Sequence, residues 1–157
     1  MRSGRRIAFD VGKARIGVAM SDFHAILASP APHIVRRGSL ADSVTEAKNL
    51  IAEHDCIEAY VGLPVNLQNK ATASTDDALA FAQLLNEQTS IDVRLIDERF
   101  TTTSASNSLR AAGHTSRDQK SIIDSAAAAI ILEQALAVEK STESAPGKQI
   151  RKSADEE

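Results

Sequence analysis

The opening of the chain contains the pattern that most restricts how it can fold. In "RRIAFDVGKARIGVAMSD", residues 5–22, large apolar side chains alternate with small or polar ones on either side of a short basic segment, "GKAR". Alternation with a period of two predicts β-strands, and a glycine followed by polar residues predicts a turn. We therefore expect strands over residues 5–12 and 15–21, joined as an antiparallel hairpin.

The two faces of this predicted hairpin differ in the size of their side chains. One face carries the large residues, which are Ile7, Phe9, Val11, Ile16, Val18 and Met20. The other carries the small residues, which are Ala8, Gly12, Gly17, Ala19 and Ser21, and it also carries Asp10. A face of small residues admits a closely packed helix or a ligand. Asp10 is therefore either an ordinary carboxylate on a solvated strand or a group that binds a ligand.

The remaining patterns place helices between further strands. Pro30 and Pro32 exclude a helix in the third segment and favour a strand at the edge of a sheet. A meander followed by strands linked through helices predicts an α/β protein with a mixed sheet and helices on both faces. In order, the patterns predict a strand over 28–37, a helix capped by Ser39, a strand over 57–61, a helix capped by Ser74 or Thr75, a strand over 91–96, a short helix ended by Gly113, and a longer helix containing "SIIDSAAAAIILEQALAVE".

Composition limits the class of protein. A chain of 157 residues with 43% hydrophobic content is expected to form one domain. Its net charge of -3 does not by itself indicate nucleic acid, but residues 1–22 hold five basic and two acidic side chains, a local charge of +3. A single cysteine and no apolar segment of spanning length indicate a cytoplasmic protein without a membrane partner. We expect a domain over residues 1–139 and a disordered, dispensable charged tail over 140–157.

Three further acidic residues lie where they could join Asp10. Asp97 and Glu98 end a predicted strand, although charged residues commonly end strands. Asp124 shares a helix face with an alanine run, although Ser121 and Asp124 also fit a capping box. Carboxylates gathered on one face would repel one another unless cations intervened, and magnesium prefers such oxygen ligands. Two such ions could support in-line hydrolysis of a phosphodiester bond.

Four motifs in one order carry a resemblance to a known family. "IAFDVGKARIGVAMSD", "VGLPVN", "DERFTT" and "DSAAAAIIL", within residues 5–138, resemble the YqgF/RuvX family of Holliday junction resolvase-like proteins and pre-ribosomal RNA nucleases, which have an RNase H-like fold. The resemblance implies a mixed five-stranded sheet flanked by helices, with a site that depends on Mg²⁺ or Mn²⁺. It assigns metal binding and catalysis to Asp10, Glu98 and Asp124, with Asp97 as a further catalytic candidate.

The basic residues near these acids are expected to contact nucleic acid. Lys13 and Arg15 lie on the predicted hairpin turn next to Asp10, where the phosphate backbone of a substrate would run. Arg99 directly follows the "DE" pair. Between Asp97 and Glu98, alternation along the strand allows only one side chain to face the site, and we favour Glu98.

The resemblance favours a nuclease that processes the 5′ end of precursor 16S ribosomal RNA, with a Holliday junction resolvase acting on branched DNA as the alternative. A nucleotide-binding protein of the actin and sugar-kinase type begins with a similar strand and hairpin but needs a second domain. A non-catalytic nucleic-acid-binding module is a further alternative. The expected oligomeric state is a monomer or a weak homodimer.

Overall fold

The computed structural model describes residues 2–64, 73–98 and 116–150, with the backbone alone for residues 116–124. Within these ranges, one sheet of six strands is flanked by three helices. The strands are β1 (Arg6–Val11), β2 (Arg15–Ser21), β3 (Ala28–Val35), β4 (Glu58–Leu63), β5 (Asp92–Asp97) and β6 (Lys148–Gln149), and the helices are α1 (Leu40–Glu53), α2 (Ala73–Gln88) and α3 (Ser116–Thr142).

The sheet is mixed, as the sequence predicts. Its strand order is β3-β2-β1-β4-β5-β6. The first three strands form an antiparallel meander, whereas β1, β4 and β5 run parallel to one another and β6 is antiparallel to β5. Pro30 and Pro32 lie in β3 at the edge of the sheet, where a missing backbone N–H removes no ladder bond. The α/β architecture is therefore confirmed.

The predicted difference between the two sheet faces decides where the helices pack. The large face packs against α1 and α2, and the Phe9 and Phe81 rings meet edge to face there with centroids 5.4 Å apart. The small face packs against α3, where Ala8 and Ala19 of the sheet join a cluster that includes Ala128 and Ala135 of the helix. Small side chains on both surfaces let this helix approach the sheet closely.

The starts of the helices confirm one predicted cap and correct two. Ser39 caps α1 through a capping box with Asp42. Helix α2 begins at Ala73, so neither Ser74 nor Thr75 caps it. Helix α3 begins at Ser116, and the predicted capping box at Ser121 and Asp124 is wrong because residues of good helix propensity extend the helix upstream. The predicted short helix ended by Gly113 lies outside the described residues.

The prediction of a disordered tail from residue 140 is wrong for residues 140–150. Helix α3 continues to Thr142, and β6 then adds a sixth strand beside β5, so the sheet does not end at five strands or at residue 139. Ile150 packs against the core cluster on the large face, and its backbone N–H donates to the carbonyl of Val93 at 3.0 Å. Burial of the Ile150 side chain and the backbone hydrogen bonds between β5 and β6 thus offset the entropy that is lost when this segment becomes ordered.

The turn that leads into β6 is held by β5. The guanidinium of Arg94 donates to the carbonyl oxygens of Pro146 and Gly147. Gly147 has a φ of +70° and lies so close to β5 that a Cβ atom would come within 2.3 Å of the Leu95 carbonyl oxygen. Residues 151–157 lie outside the described part of the chain. No helix that the structure describes is both long and apolar enough to cross a membrane.

Candidate active site

Asp10 lies near the carboxyl end of β1, opposite Gly17 of β2. It is on the face of the sheet that α3 covers, because its neighbours of the same parity include Ala8, which packs in the cluster with α3. The side chain is partly buried. A carboxylate is thus held near the carboxyl end of β1, on the face of the sheet that carries small side chains.

Glu98 lies on the same side of the sheet as Asp10 and is hydrogen bonded to it. Its backbone N–H donates to the carbonyl of Leu63 at 3.3 Å, which continues the register of β4 and β5 one residue beyond the strand. That register fixes the direction of the side chain, and the two carboxyl groups share a hydrogen bond. The strand ends therefore bring together two acids that are separated by 88 positions in the sequence numbering.

Gly62 of β4 leaves the space that the Glu98 carboxyl group occupies. A Cβ atom on Gly62 would lie 2.7 Å from Cδ and 2.8 Å from Oε1 of Glu98, and 2.4 Å from Cδ1 of Ile131 in α3. No larger residue fits there unless Glu98 and Ile131 move. The sequence pattern identifies this glycine only as the end of a strand, and its place next to the "LP" pair is the signal that could have revealed its role.

Burial and mutual repulsion change the protonation of the pair. Burial, followed by the negative charge of Asp10 and the hydrogen bond to it, raises the pKa of Glu98 to about 8. Burial also raises the pKa of Asp10, while the hydrogen bond from Glu98 opposes that rise. At neutral pH the protonated Glu98 carboxyl group therefore donates to an ionised Asp10. Two acids holding one proton form a site in which a cation could replace that proton.

The donor set fits a hard divalent cation, because it consists of carboxylate oxygens, which such cations prefer as ligands. Among the side chains that the structure describes, no group of three or more His, Cys, Asp or Glu residues is close enough to hold a metal ion, so the described part of the site is the Asp10–Glu98 pair. The side chain of Asp124 lies outside the described residues. Its helix, α3, nevertheless reaches this site through Ile131.

Asp97 is not part of the pair. It is in register with Leu63, which packs against the core on the α1 and α2 face, so Asp97 lies on the opposite side of the sheet from Glu98. Its negative charge still adds to the rise in the pKa of Glu98. The structure thus brings together Asp10 and Glu98, as alternation predicts, and leaves Asp97 on the other face.

Ser125, which no sequence pattern singles out, attaches α3 to the sheet one residue after Asp124. The register between β2 and β3 shifts between Ile16 and Val18. The buried Ser125 hydroxyl accepts from the backbone N–H of Val18 at 3.1 Å and donates to the carbonyl of Ala31 at 2.6 Å. One side chain therefore satisfies two backbone groups at the irregularity, and it fixes where this part of α3 lies on the sheet.

The basic hairpin beside Asp10 is rigidly attached. The backbone N–H of Gly12 donates to the carbonyl of Arg15 at 2.9 Å, which closes the predicted turn, and the Lys13 side chain is exposed. The guanidinium of Arg36 donates to the Gly12 carbonyl at 2.7 Å and forms two hydrogen bonds with the Asp77 carboxylate at 2.6 and 3.1 Å. No sequence pattern indicates this role of Arg36, because its partners come from separate elements.

The Arg36 side chain thus links the hairpin to α2. The backbone N–H of the same residue donates to the carbonyl of Ala14 at 2.9 Å, so both ends of the turn are held. Arg99, the third basic residue predicted to contact nucleic acid, lies outside the described residues. The described site therefore consists of the Asp10–Glu98 carboxyl pair and, at the same edge of the sheet, the exposed Lys13 on a turn that Arg36 holds in place.

Known proteins resemble this chain in sequence and in fold. A candidate pre-16S rRNA nuclease of Clavibacter sepedonicus is 50% identical over 147 residues, covering 94% of this chain and 91% of the relative. A protein of the same name from Streptomyces coelicolor is 44% identical over 148 residues, covering 94% of this chain and 88% of the relative. The structure of Thermus thermophilus RuvC in complex with a Holliday junction substrate is similar in fold, with a TM-score of 0.56 at 13% identity, and the match covers 94% of this chain and 99% of RuvC.

A family model shows the wider relationship. The model of the RuvX family, described as Holliday junction resolvase, matches residues 4–138. That range contains the described carboxyl pair, the hairpin and α3 almost to its end. With a family match over most of the chain and relatives of 44–50% identity, this chain belongs to the RuvX family.

Proposed function

We propose that this protein is a divalent-metal-dependent nuclease that hydrolyses phosphodiester bonds in precursor 16S ribosomal RNA and processes its 5′ end. The observation that carries the proposal is the Asp10–Glu98 pair, two carboxyl groups that are hydrogen bonded to each other at the carboxyl ends of the parallel strands β1 and β5. The choice of precursor 16S ribosomal RNA is supported by relatives of 44–50% identity that are named as candidate pre-16S rRNA nucleases.

Asp10 and Glu98 would hold the cation, with Asp124 from α3 as a further ligand and catalytic residue. Mg²⁺ or Mn²⁺ fits these oxygen donors. When bound, the cation supplies positive charge to the attacked phosphate and activates the attacking water. Asp97, on the opposite face, influences the site through its charge.

The chain's own residues would orient the substrate and would hold or release one proton. Glu98 would lose its proton to solvent if a cation occupied the site, because its carboxylate would then be paired with the cation in place of the proton shared with Asp10. Lys13, Arg15 and Arg99 would contact phosphates of the substrate beside the carboxyl pair. Arg36 keeps the hairpin in place through its bonds to the backbone of the turn.

The principal alternative is a Holliday junction resolvase that acts on branched DNA. It is supported by the description of the family model and by the similarity in fold to RuvC. We place either activity in the cytoplasm, as the composition indicates, with nucleic acid as the partner.

A cleavage panel separates the two substrates. The wild-type protein is incubated in Mg²⁺ with precursor 16S ribosomal RNA, with unstructured single-stranded RNA and with a four-way DNA junction, and Glu98→Gln serves as the inactive control for contaminating nucleases. We expect cleavage near the 5′ end of the precursor RNA by the wild type alone. Cleavage of the DNA junction alone would establish the alternative, and cleavage of none would contradict the proposal.

A further inference from the structure

A pocket lies at the carboxyl end of β1, on the opposite face of the sheet from the carboxyl pair. It has a volume of about 260 Å³. Val11 lines it and directly follows Asp10, and the Val11 side chain also packs in the core cluster on the α1 and α2 face. Because side chains alternate along a strand, the pocket and the Asp10 carboxyl group lie on the two sides of one strand end. The other lining residues come from the hairpin turn, from the segment after β3 and from the start of α2, and they are Lys13, Arg36, Ala73, Ser74 and Asp77.

Lys13 brings a positive charge to this pocket. Its side chain is exposed on the hairpin turn. In the described ranges of the chain, no side chain or backbone group pairs with its ammonium group, so the N–H donors of that group are available to a ligand. Arg36 holds the turn that carries Lys13 at both ends, which gives the charge a defined location.

Arg36 has donors left after it has fixed the turn. A guanidinium carries five N–H groups. Nη1 donates to the Gly12 carbonyl and to the Asp77 carboxylate, and Nη2 donates once to the same carboxylate. These bonds fix the plane of the guanidinium, and they leave one N–H on Nη2 and the one on Nε without an acceptor among the described residues. Lys13, Arg36 and Asp77 together give the pocket a net charge of +1.

The chemistry of the lining favours a phosphate over the other parts of a nucleic acid. An ammonium, a guanidinium and the Ser74 hydroxyl are groups that donate to phosphate oxygens. The one carboxylate, that of Asp77, is already paired with Arg36 at 2.6 Å. None of the described residues that line the pocket is aromatic, so a base has no ring on which to stack.

We propose that this pocket binds a phosphate of the substrate strand that flanks the one to be cleaved. This assignment rests on the proposed nuclease function, which places the cleaved phosphate at the Asp10–Glu98 pair. The strand then crosses the carboxyl end of β1, from the α3 face to the α2 face, and passes over the hairpin turn. Phosphate contacts set the register of a nucleic acid on a protein, so contacts on both sides of one strand end fix the position and the direction of the substrate.

A negative charge placed in the lining tests this inference. Ala73→Glu adds a carboxylate to the pocket, and the fold should tolerate it because Ala73 is exposed in the first turn of α2, where a glutamate is favourable. Ala80→Glu is the matched control, because Ala80 is also exposed on α2 but lies about 10 Å further along the helix.

The measurement is the dissociation constant of a short RNA that spans the mature 5′ end of 16S ribosomal RNA, by fluorescence anisotropy with chelator present so that no cleavage occurs. We expect Ala73→Glu to raise this constant at least about fivefold through repulsion of the bound phosphate, and Ala80→Glu to leave it unchanged. Equal dissociation constants for the two variants would overturn the proposal.

Neutral linkages identify the phosphate itself. A series of the same RNA carries one methylphosphonate linkage each, which removes the charge of a single phosphate. One linkage should weaken binding to the wild type and to Ala80→Glu but have little effect on Ala73→Glu, because that variant has already lost the contact. Linkage effects that add to the effect of Ala73→Glu at every position would overturn the proposal.

Binding and cleavage are scored separately, so the two proposals can fail separately. A wild type that shows the expected linkage pattern but cleaves nothing in Mg²⁺ would contradict the nuclease function and leave the phosphate pocket supported. If the wild type binds only the four-way DNA junction, the same linkage scan on that junction decides the outcome. A wild type that binds neither nucleic acid would overturn the pocket.

Discussion

Replacing Glu98 by glutamine should stabilise the metal-free protein, and the gain should grow with pH. The pKa of this carboxyl group is about 8 in the folded protein, against an ordinary value of 4.5 that applies to the unfolded chain. Below the unfolded value both states hold the proton, so the group contributes no pH dependence. As pH rises from that value to about 8, the unfolded chain releases the proton while the folded protein keeps it. The free energy of unfolding therefore falls across this window and is lowest above it.

The magnitude follows from the size of the pKa change. A rise of this size would cost about 4–5 kcal/mol at high pH for a fully buried, isolated carboxylate, since each pKa unit is worth about 1.4 kcal/mol. Glu98 is only partly buried and shares its proton with Asp10, so solvent screening reduces the expected cost to about 2 kcal/mol. Glutamine keeps the shape and can still donate to an ionised Asp10, and it removes this cost.

The assay is urea unfolding with chelator present at pH 5, 7 and 9, on the wild type and on Glu98→Gln. The variant should match the wild type at pH 5 and exceed it at pH 9 by about 2 kcal/mol. Asp97→Asn removes the same charge one residue away on the opposite face and should yield a smaller gain. Equal pH dependence in the wild type and Glu98→Gln, or a less stable variant at pH 9, would refute the reasoning.

Three further predictions use other parts of the structure. Gly62→Ala should lower the free energy of unfolding by about 1–3 kcal/mol and reduce cleavage in fully folded samples, because the new methyl group displaces the Glu98 carboxyl group; retention of the wild-type rate would contradict this. Lys13→Ala and Arg15→Ala should each reduce the slope of log binding constant against log salt by about one unit for every phosphate that the side chain neutralises, and an unchanged slope would remove that residue from the interface. Deleting residues 147–157 should cost about 1–3 kcal/mol in urea unfolding, because β5 loses its edge partner and Ile150 no longer packs on the core; unchanged stability would show that the segment is undocked.

The sequence predicts the fold best where large and small side chains alternate with a period of two over many residues. The alternation from Ile7 to Met20 defines two strands, and it also assigns a large and a small face because a one-residue slip would reverse both. The choice of Glu98 over Asp97 rests on the same period, extended one residue past β5. Register is thus readable wherever a strand has one face of distinct character.

The features that the sequence did not predict depend on single contacts between distant segments. Strand β6 has two residues and no period, and its docking depends on Ile150 and on Arg94. Gly62 is needed because the Glu98 carboxyl group occupies the space beside it, and this contact joins segments that are distant in the sequence. The hydroxyl of Ser125 forms hydrogen bonds with two backbone groups where the register of β2 and β3 shifts, and no local sequence pattern predicts these bonds.

We propose that the Asp10 carboxylate, paired with Glu98, is the catalytic centre of this nuclease. The most direct test is the single-turnover cleavage rate of precursor 16S ribosomal RNA in saturating Mg²⁺ for the wild type, Asp10→Asn and Asp97→Asn, with folding checked by circular dichroism. Both variants lose one carboxylate charge near the carboxyl end of a parallel strand, β1 or β5, but only Asp10 faces Glu98. We expect a loss of several orders of magnitude for Asp10→Asn and a rate within a few-fold of wild type for Asp97→Asn. A folded Asp10→Asn protein that cleaves at the wild-type rate would contradict the claim.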